Sequence, residues 1–138
     1  MKVVIDTNCL LSCVGKRSEY RNVFDAFLDA EFELSLSTEI LLEYEEKFNE
    51  FWGEAVTDNL LGVFLTSENT FLQDIFYYFH LVNGDMDDNK FVDTYLASNS
   101  DLLISNDKKL LALNDLGFPP VKVVRLEEFS EILKNQKL

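Results

Sequence analysis

Short runs of β-branched and aliphatic residues alternate with longer helical patterns along this chain, and this alternation constrains its fold most. The runs that predict strands are Lys2–Ile5 and residues 32–36, 102–105 and 121–124. Strands that alternate with helices form βαβ units, in which a mainly parallel sheet carries helices on both faces. With no repeat, linker or shift in composition, we predict an α/β fold in a single domain, residues 1–138.

Apolar residues at helical spacing predict the intervening helices. These cover residues 18–30, 37–52, 54–65, 89–98, 108–113 and 126–133. Ser37 is the expected N-cap of the second helix, and Asp87 or Asp88 of the fourth.

Three other segments are predicted from turn-forming or aromatic composition. Asp6, Thr7 and Asn8 are read as a loop, and residues 83–85 as a turn. The aromatic segment 71–82 is expected to begin as a helix and continue as extended chain.

The net charge is −13, and this alone argues against a nucleic-acid partner, because phosphate binding depends on Lys and Arg. Residues 25–58, however, hold eleven acidic residues and one lysine, so the charge is concentrated in one stretch. We therefore treat RNA as compatible with the chain and residues 25–58 as a candidate surface for a basic partner. RNA affinity without metal should be poor and should fall further with salt.

The cysteines and the apolar runs bear on the location of the protein. Cys9 and Cys13 form neither a disulfide framework nor a zinc pattern, which favours reduced thiols in a cytoplasmic protein. No apolar run approaches the roughly 18 residues that span a bilayer, so we expect no membrane partner.

Acidic side chains follow two of the predicted strands. Asp6 follows the first strand, and Asp107 follows residues 102–105. The carboxyl ends of parallel strands share one edge of the sheet, where ligands bind in open α/β folds. Clustered carboxylates repel one another unless a hard cation lies among them, which predicts a Mg²⁺ or Mn²⁺ site. Helical geometry does not choose between Glu43 and Glu45 as a further ligand.

The order of these motifs resembles that of a PIN domain of the kind found as the toxin component of toxin–antitoxin systems. The resemblance rests on a strand followed by Asp6-Thr7-Asn8, then residues 37–43, residues 85–91 and Ser105-Asn106-Asp107. It covers nearly the whole chain, and all four motifs in order are a specific signal.

The resemblance implies a three-layer α/β/α sandwich with four to five strands and a metal-dependent ribonuclease that cuts single-stranded RNA. Its four acidic positions fall here on Asp6, Glu43, Asp88 and Asp107, which would bind one or two Mg²⁺ or Mn²⁺ ions. Supporting roles are expected next to these ligands, and the residues concerned are Asn8, Ser105 and Asp87. The chain departs from the family where Met86 replaces a common Pro and Asn106 a common Gly, and the latter affects the expected backbone shape.

The resemblance also implies partners. A toxin would have a cognate antitoxin that blocks its site, and the family often forms homodimers. Basic residues near the motifs are expected to contact the RNA backbone, namely Lys16, Arg17, Lys90 and Lys108.

Two other classes of function compete with the nuclease. One is a catalytically weak PIN-like module that acts by binding RNA or protein. The other is phosphoryl-transfer α/β proteins, but haloacid-dehalogenase-like phosphatases need a second Asp where this chain has Asn8. Receiver domains place their acidic residues in a different order.

Overall fold

The computed structural model describes residues 1–82 and 86–137, apart from the side chain of Met86. The predicted turn at residues 83–85 therefore lies outside the described residues. The strands in this part of the chain are β1 (Lys2–Ile5), β2 (Glu33–Leu36), β3 (Thr70–Leu72), β4 (Leu102–Ile104) and β5 (Val123–Val124). The helices are α1 (Thr7–Val14), α2 (Arg21–Leu28), α3 (Thr38–Trp52), α4 (Glu54–Thr66), α5 (Met86–Ala97), α6 (Lys108–Leu111) and α7 (Leu126–Gln136), with a 3₁₀ turn over Ala112–Asp115.

The described strands form one parallel sheet in the order β3-β2-β1-β4-β5. Helices α1, α2, α3, α4 and α7 contact one another in one layer, and α5 packs against β1, β2 and β4. The predicted three-layer α/β/α fold is thereby confirmed. The chain leaves β1 towards β2 on one side and later returns to β4 on the other. The carboxyl ends of β1 and β4 therefore flank the switch point where open α/β sheets bind ligands.

The core explains why the central strands are almost entirely apolar. Val3, Val4 and Ile5 of β1 are at most 1% exposed, as expected for a strand covered by helices on both faces. On one side, Phe64 of α4 lies fully buried with its ring centroid 5.3 Å from that of Phe27. Ser37 caps α3 as predicted, since its hydroxyl accepts a hydrogen bond from the Ile40 amide at 3.3 Å.

The loop prediction for residues 6–8 is wrong, because α1 begins directly after β1. Asp6 donates its amide to the Ile104 carbonyl and accepts the Leu10 amide on its own carbonyl, at 2.9 and 3.0 Å. One residue thus ends the strand and begins the helix. Cys9, Leu10 and Cys13 pack into the core from α1, and this apolar spacing outweighs the turn tendency of Asp-Thr-Asn.

The early part of segment 71–82 is also different from the prediction. It forms β3, a strand at the edge of the sheet whose Phe71 and Leu72 are 44% and 58% exposed, followed by irregular chain. The Leu36 carbonyl accepts a hydrogen bond from the Gln73 amide at 2.6 Å, so pairing with β2 decides the conformation. Such long-range pairing leaves no local pattern in three residues.

The length and apolar character of the helices decide whether any of them could cross a membrane. Within residues 1–82 and 86–137, none of the helices combines the length and apolar character that a bilayer crossing needs.

Candidate metal-binding active site

Asp6 lies at the centre of the acidic edge of the sheet. The residue joins β1 to α1, and it is nearly buried, with 9% of its surface exposed. Oδ2 accepts a hydrogen bond from the Ser105 hydroxyl at 2.7 Å. The carboxylate is therefore held in place by the end of the adjacent strand β4.

Ser105 also positions the second acidic residue. Its Oγ accepts a hydrogen bond from the Asp107 amide at 3.0 Å, so one hydroxyl contacts both Asp6 and the Asp107 backbone. Asp107 is the N-cap of α6 and accepts the Lys109 amide on Oδ1 at 2.8 Å. The two acids that follow β1 and β4 in the sequence are thus brought to one edge, bridged by a buried serine.

Glu43 reaches the same region from α3. The Thr7 hydroxyl donates to its Oε2, and Lys90 on α5 lies with Nζ 3.0 Å from its Oε1. Glu43 is partly buried beside buried Tyr44, whereas Glu45 is exposed. The structure therefore places Glu43 towards the site and Glu45 towards solvent, which helical spacing alone could not decide.

Asp87 and Asp88 lie in the first turn of α5, which begins at Met86. Neither is at the position before the helix, so the prediction that one of them is the N-cap is wrong. Their negative charge still favours the helix at its amino end. Asp88 is partly buried, and Asp87 is exposed.

Burial and charge repulsion both act on Asp6. Burial raises its pKa above the ordinary value, the Ser105 hydrogen bond lowers it, and the charges of Glu43 and Asp107 raise it further. The three carboxylates therefore lie close enough to interact. Tyr44, fully buried and donating to the Ile5 carbonyl, has its pKa raised by burial first and then by the charge of Asp6.

A cavity of about 230 Å³ opens beside the two strand-end acids, and its lining includes Asp6, Asn8, Cys9, Asn106 and Asp107. Cys9 is an inert neighbour, because burial raises the pKa of its thiol to about 12. Asn106 accepts the Leu126 amide on Oδ1 at 3.0 Å, which ties this loop to the start of α7. A glycine could not make that bond, so the departure from the family at this position supplies a contact of its own.

The chemistry of these donors fits a hard divalent cation. No three His, Cys, Asp or Glu side chains of residues 1–82 and 86–137 are grouped as a preformed metal cage. Mg²⁺ does not need one, because it is usually bound by one or two carboxylates together with waters and substrate phosphates. Asp6 and Asp107 share the cavity, carry only oxygen donors and repel each other. That arrangement fits Mg²⁺ or Mn²⁺.

The basic residues are distributed unevenly about this edge. Lys16 and Arg17 are exposed just beyond α1, and Lys108 is exposed next to Asp107. The Lys90 ammonium lies instead within the site, paired with Glu43, and the two side chains are 15% and 16% exposed. Lys90 thus acts as a counter-ion of the acidic cluster.

Several side-chain contacts near the site could not be predicted from the sequence. Thr7 was part of a recognised motif, but its hydroxyl could be assigned to Glu43 only once α1 replaced the predicted loop. The carbonyl that Tyr44 contacts and the amide that Asn106 contacts are distant in sequence, so no local signal pointed to them.

Asn89 anchors the irregular segment before α5. Its Oδ1 accepts the Val82 amide at 2.9 Å, and its Nδ2 donates to the Val82 carbonyl at 3.1 Å. Asp93, one turn later, accepts the Phe79 amide at 3.0 Å. Helix α5, which carries Asp88 and Lys90, therefore also holds the backbone of Phe79 and Val82 in place.

Replacing Asn89 by Ala should lower the free energy of unfolding by about 1 to 2 kcal/mol, because both backbone groups of buried Val82 lose their partner. Chemical denaturation measures the change. Asn89→Asp keeps an acceptor for the amide and should lose less. Asn49→Ala, at an exposed position of α3, is the matched control and should be nearly neutral. Equal stability of all three variants would contradict the anchoring role.

Fold and site together define a class: a parallel α/β protein whose acidic residues gather where the strand order reverses. The chain belongs to the PIN domain family, since the family model of that description matches residues 2–109. The match includes Asp6, Glu43, Asp88 and Asp107. It confirms the resemblance found in the sequence.

Solved structures agree with this assignment. VapBC2 from Rickettsia felis, bound to a DNA fragment from their promoter, matches with a TM-score of 0.63 and 16% identity over 91% of this chain and 98% of that one. The PIN domain endonuclease Utp24 matches with a TM-score of 0.53 and 19% identity, over 90% of this chain and 84% of that one. The RRP44 PIN domain of T. brucei matches with a TM-score of 0.57 and 13% identity, over 98% of this chain and 82% of that one. At these identities the likeness concerns the fold. A comparison with curated proteins finds no match.

Proposed function

We propose that this single domain is a Mg²⁺- or Mn²⁺-dependent endoribonuclease that cleaves single-stranded RNA. One observation carries the proposal: Asp6 and Asp107, at the carboxyl ends of neighbouring strands, share one cavity, and Ser105 contacts both. Membership of the PIN domain family supports the same reading, and a solved structure of similar fold is described as an endonuclease.

The roles of the residues follow from their places. Asp6, Glu43, Asp88 and Asp107 would hold one or two divalent ions, with Asp6 as the central ligand. When bound, such ions would activate a water for in-line attack on the phosphodiester and offset the charge on the leaving 3′-oxygen.

The supporting residues keep the carboxylates in position. Ser105 orients Asp6 through its hydroxyl and the Asp107 backbone through its oxygen. Asn8 lines the same cavity, and Thr7 fixes Glu43. Asp87 is proposed to support Asp88 from the same helical turn. These contacts align ligands without a histidine base, and the single His80 lies exposed on the irregular segment.

We further propose that the chain is the toxin of a toxin–antitoxin pair and acts in the cytoplasm. The similar fold of VapBC2 supports this, and so does the acidic stretch 25–58, which suits a basic partner such as a cognate antitoxin. A homodimer is the proposed assembly.

Cleavage of single-stranded RNA during a metal titration tests the proposed activity. Wild-type protein should cleave only with Mg²⁺ or Mn²⁺, and EDTA should stop cleavage. Asp107→Asn should need at least about tenfold more metal for half its maximal rate, since one ligand is lost. Equal cleavage in EDTA would overturn the proposal. Metal-dependent binding of RNA without cleavage would favour the second candidate, a PIN-like binding module.

A further inference from the structure

A second cavity of about 520 Å³ lies beside the exposed face of α1 and is larger than the acidic one. Its lining includes Ser12, Lys16, Arg17 and Trp52. The acidic cavity, lined by Asp6 and Asp107, also includes Ser12. The two cavities therefore adjoin, and one helix face connects them.

The connecting face is the outer side of α1. Asn8, Ser12 and Lys16 follow one another at intervals of four residues, and all three are exposed. The helix rises 1.5 Å per residue, so the helical part of this face, from Asn8 to Ser12, is roughly 6 Å long, and Lys16 lies just beyond the end of α1. At about 3.4 Å per stacked nucleotide, that helical part matches about two nucleotides of a single strand, and Lys16 and Arg17 lie beyond it.

Trp52 lies at the far end of this face. A Cβ placed on Gly15 would lie 3.7 Å from Trp52 Cη2, at ordinary van der Waals distance, so the edge of the indole lies beside residue 15 just past the end of α1. The residue is nevertheless 44% exposed. An aromatic ring that is seated at one edge and open to solvent elsewhere is suited to stacking against a base.

Lys16 and Arg17 complete the second cavity with positive charge. Both are exposed, and none of the ion pairs found within residues 1–82 and 86–137 involves either one. Two cations in a chain of net charge −13 complement a phosphate backbone. Ser12 and Ser18 add hydroxyl groups to the lining of this cavity.

We infer that single-stranded RNA follows the outer face of α1 away from the carboxylates, with its phosphates on Lys16 and Arg17 and a base stacked on Trp52. This inference rests on the proposed nuclease function and assigns its substrate track. Trp52 then acts in binding and positioning, outside the reacting atoms.

The chain contains a single tryptophan, so its fluorescence reports on this position alone. Asp6→Asn protein keeps the RNA intact during a titration with a single-stranded oligonucleotide of about eight nucleotides in Mg²⁺. We expect saturable quenching of the Trp52 emission. The same sequence as a duplex should quench much less.

Variants separate stacking from charge, with affinity measured by anisotropy of labelled RNA. Trp52→Ala should weaken binding about tenfold, and Trp52→Phe should restore most of it. Phe51→Ala is the matched control, because Phe51 is 69% exposed on the same helix but does not line the cavity. It should leave the affinity unchanged.

The charged pair is tested by salt dependence. Lys16→Gln with Arg17→Gln should reduce the slope of log affinity against log salt by about 1.4, the value for two contacts to a single strand. Lys134→Gln with Lys137→Gln removes the same charge from α7 and its end, and should leave the slope unchanged.

The outcomes distinguish the inference from the function on which it rests. RNA cleavage by wild type without Trp52 quenching, and with unchanged affinity of Trp52→Ala, overturns the track while the nuclease stands. Quenching with the expected variant effects but no cleavage overturns the nuclease and keeps the RNA track. If Trp52→Ala changes only the oligomeric state in light scattering, the cavity is a protein contact and the inference is overturned.

Discussion

Asp6→Asn is expected to lower the rate of RNA cleavage by about a thousandfold, which corresponds to about 4 kcal/mol of lost transition-state stabilisation. Asp6 is the buried acid that Ser105 contacts directly, and both Glu43 and Asp107 act on its charge. An amide at this position keeps the shape and a hydrogen-bond acceptor for Ser105 but loses the charge. Single-turnover cleavage at saturating Mn²⁺ measures the loss.

The same substitution should make the metal-free protein more stable at neutral pH. Burial raises the pKa of Asp6, so the folded state holds that proton more tightly than the unfolded state. Stability is then lost as the pH rises from the ordinary pKa of an Asp through the raised one. Asn carries no such cost. Thermal unfolding in EDTA should therefore favour Asp6→Asn at pH 7, with the difference shrinking in acid.

A control and a contrary result complete this test. Asn8→Ala changes an exposed side chain of the same cavity and should leave the pH dependence of stability as in wild type. An Asp6→Asn protein that is less stable than wild type at pH 7 and still cleaves RNA at the wild-type rate would remove Asp6 from its central role.

The regular parts of the fold were predictable because their signals are local. The β1 strand, the Ser37 cap and the alternation of strands with helices each follow from short patterns. The exceptions are β3, whose three residues form a strand only by pairing with β2, and α1. In α1, the polar triplet after the strand obscured an apolar helical spacing.

In the candidate site, too, only the features that depend on local sequence patterns could be predicted. Placing Asp6 and Asp107 at one edge needs only the parallel sheet, and the sequence supports that step. The pairing of Glu43 with Lys90 joins positions 47 residues apart on different helices, which no spacing rule connects. The Asn106 bond to the start of α7 is of the same kind. Contacts that depend on how two helices pack could be read only from the structure.

Lys90→Met should lower the free energy of unfolding of the metal-free protein by about 2 to 3 kcal/mol. The substitution keeps the length of the side chain but removes the ammonium next to Glu43 Oε1. With both side chains only about 15% exposed, Glu43 is left with little water and with the charge of Asp6 nearby. Losing one partner of such a pair is costly because the other charge stays behind. Chemical denaturation in EDTA gives the value.

Two further variants show whether charge causes this loss. Lys90→Met combined with Glu43→Gln removes the remaining charge and should recover most of the stability, so the double-mutant cycle gives a large coupling energy. Lys134→Met breaks a surface pair with Glu131, whose side chains are 53% and 61% exposed, and should cost less than about 0.5 kcal/mol. If Lys90→Met costs no more than Lys134→Met, the pair contributes nothing beyond a surface contact.

Divalent metal should reverse the effect of Lys90→Met if Glu43 is a ligand as proposed. In wild type the ammonium occupies one oxygen of Glu43, so an added cation competes with Lys90 for that carboxylate. In Lys90→Met, Oε1 of Glu43 has lost the ammonium and can bind metal. A ligand that binds the folded state but not the unfolded state raises the unfolding temperature. Saturating Mn²⁺ should therefore raise the melting temperature of Lys90→Met by more than that of wild type. An equal shift in both proteins would place the metal away from Glu43 and confine its ligands to the edge that Asp6 and Asp107 share.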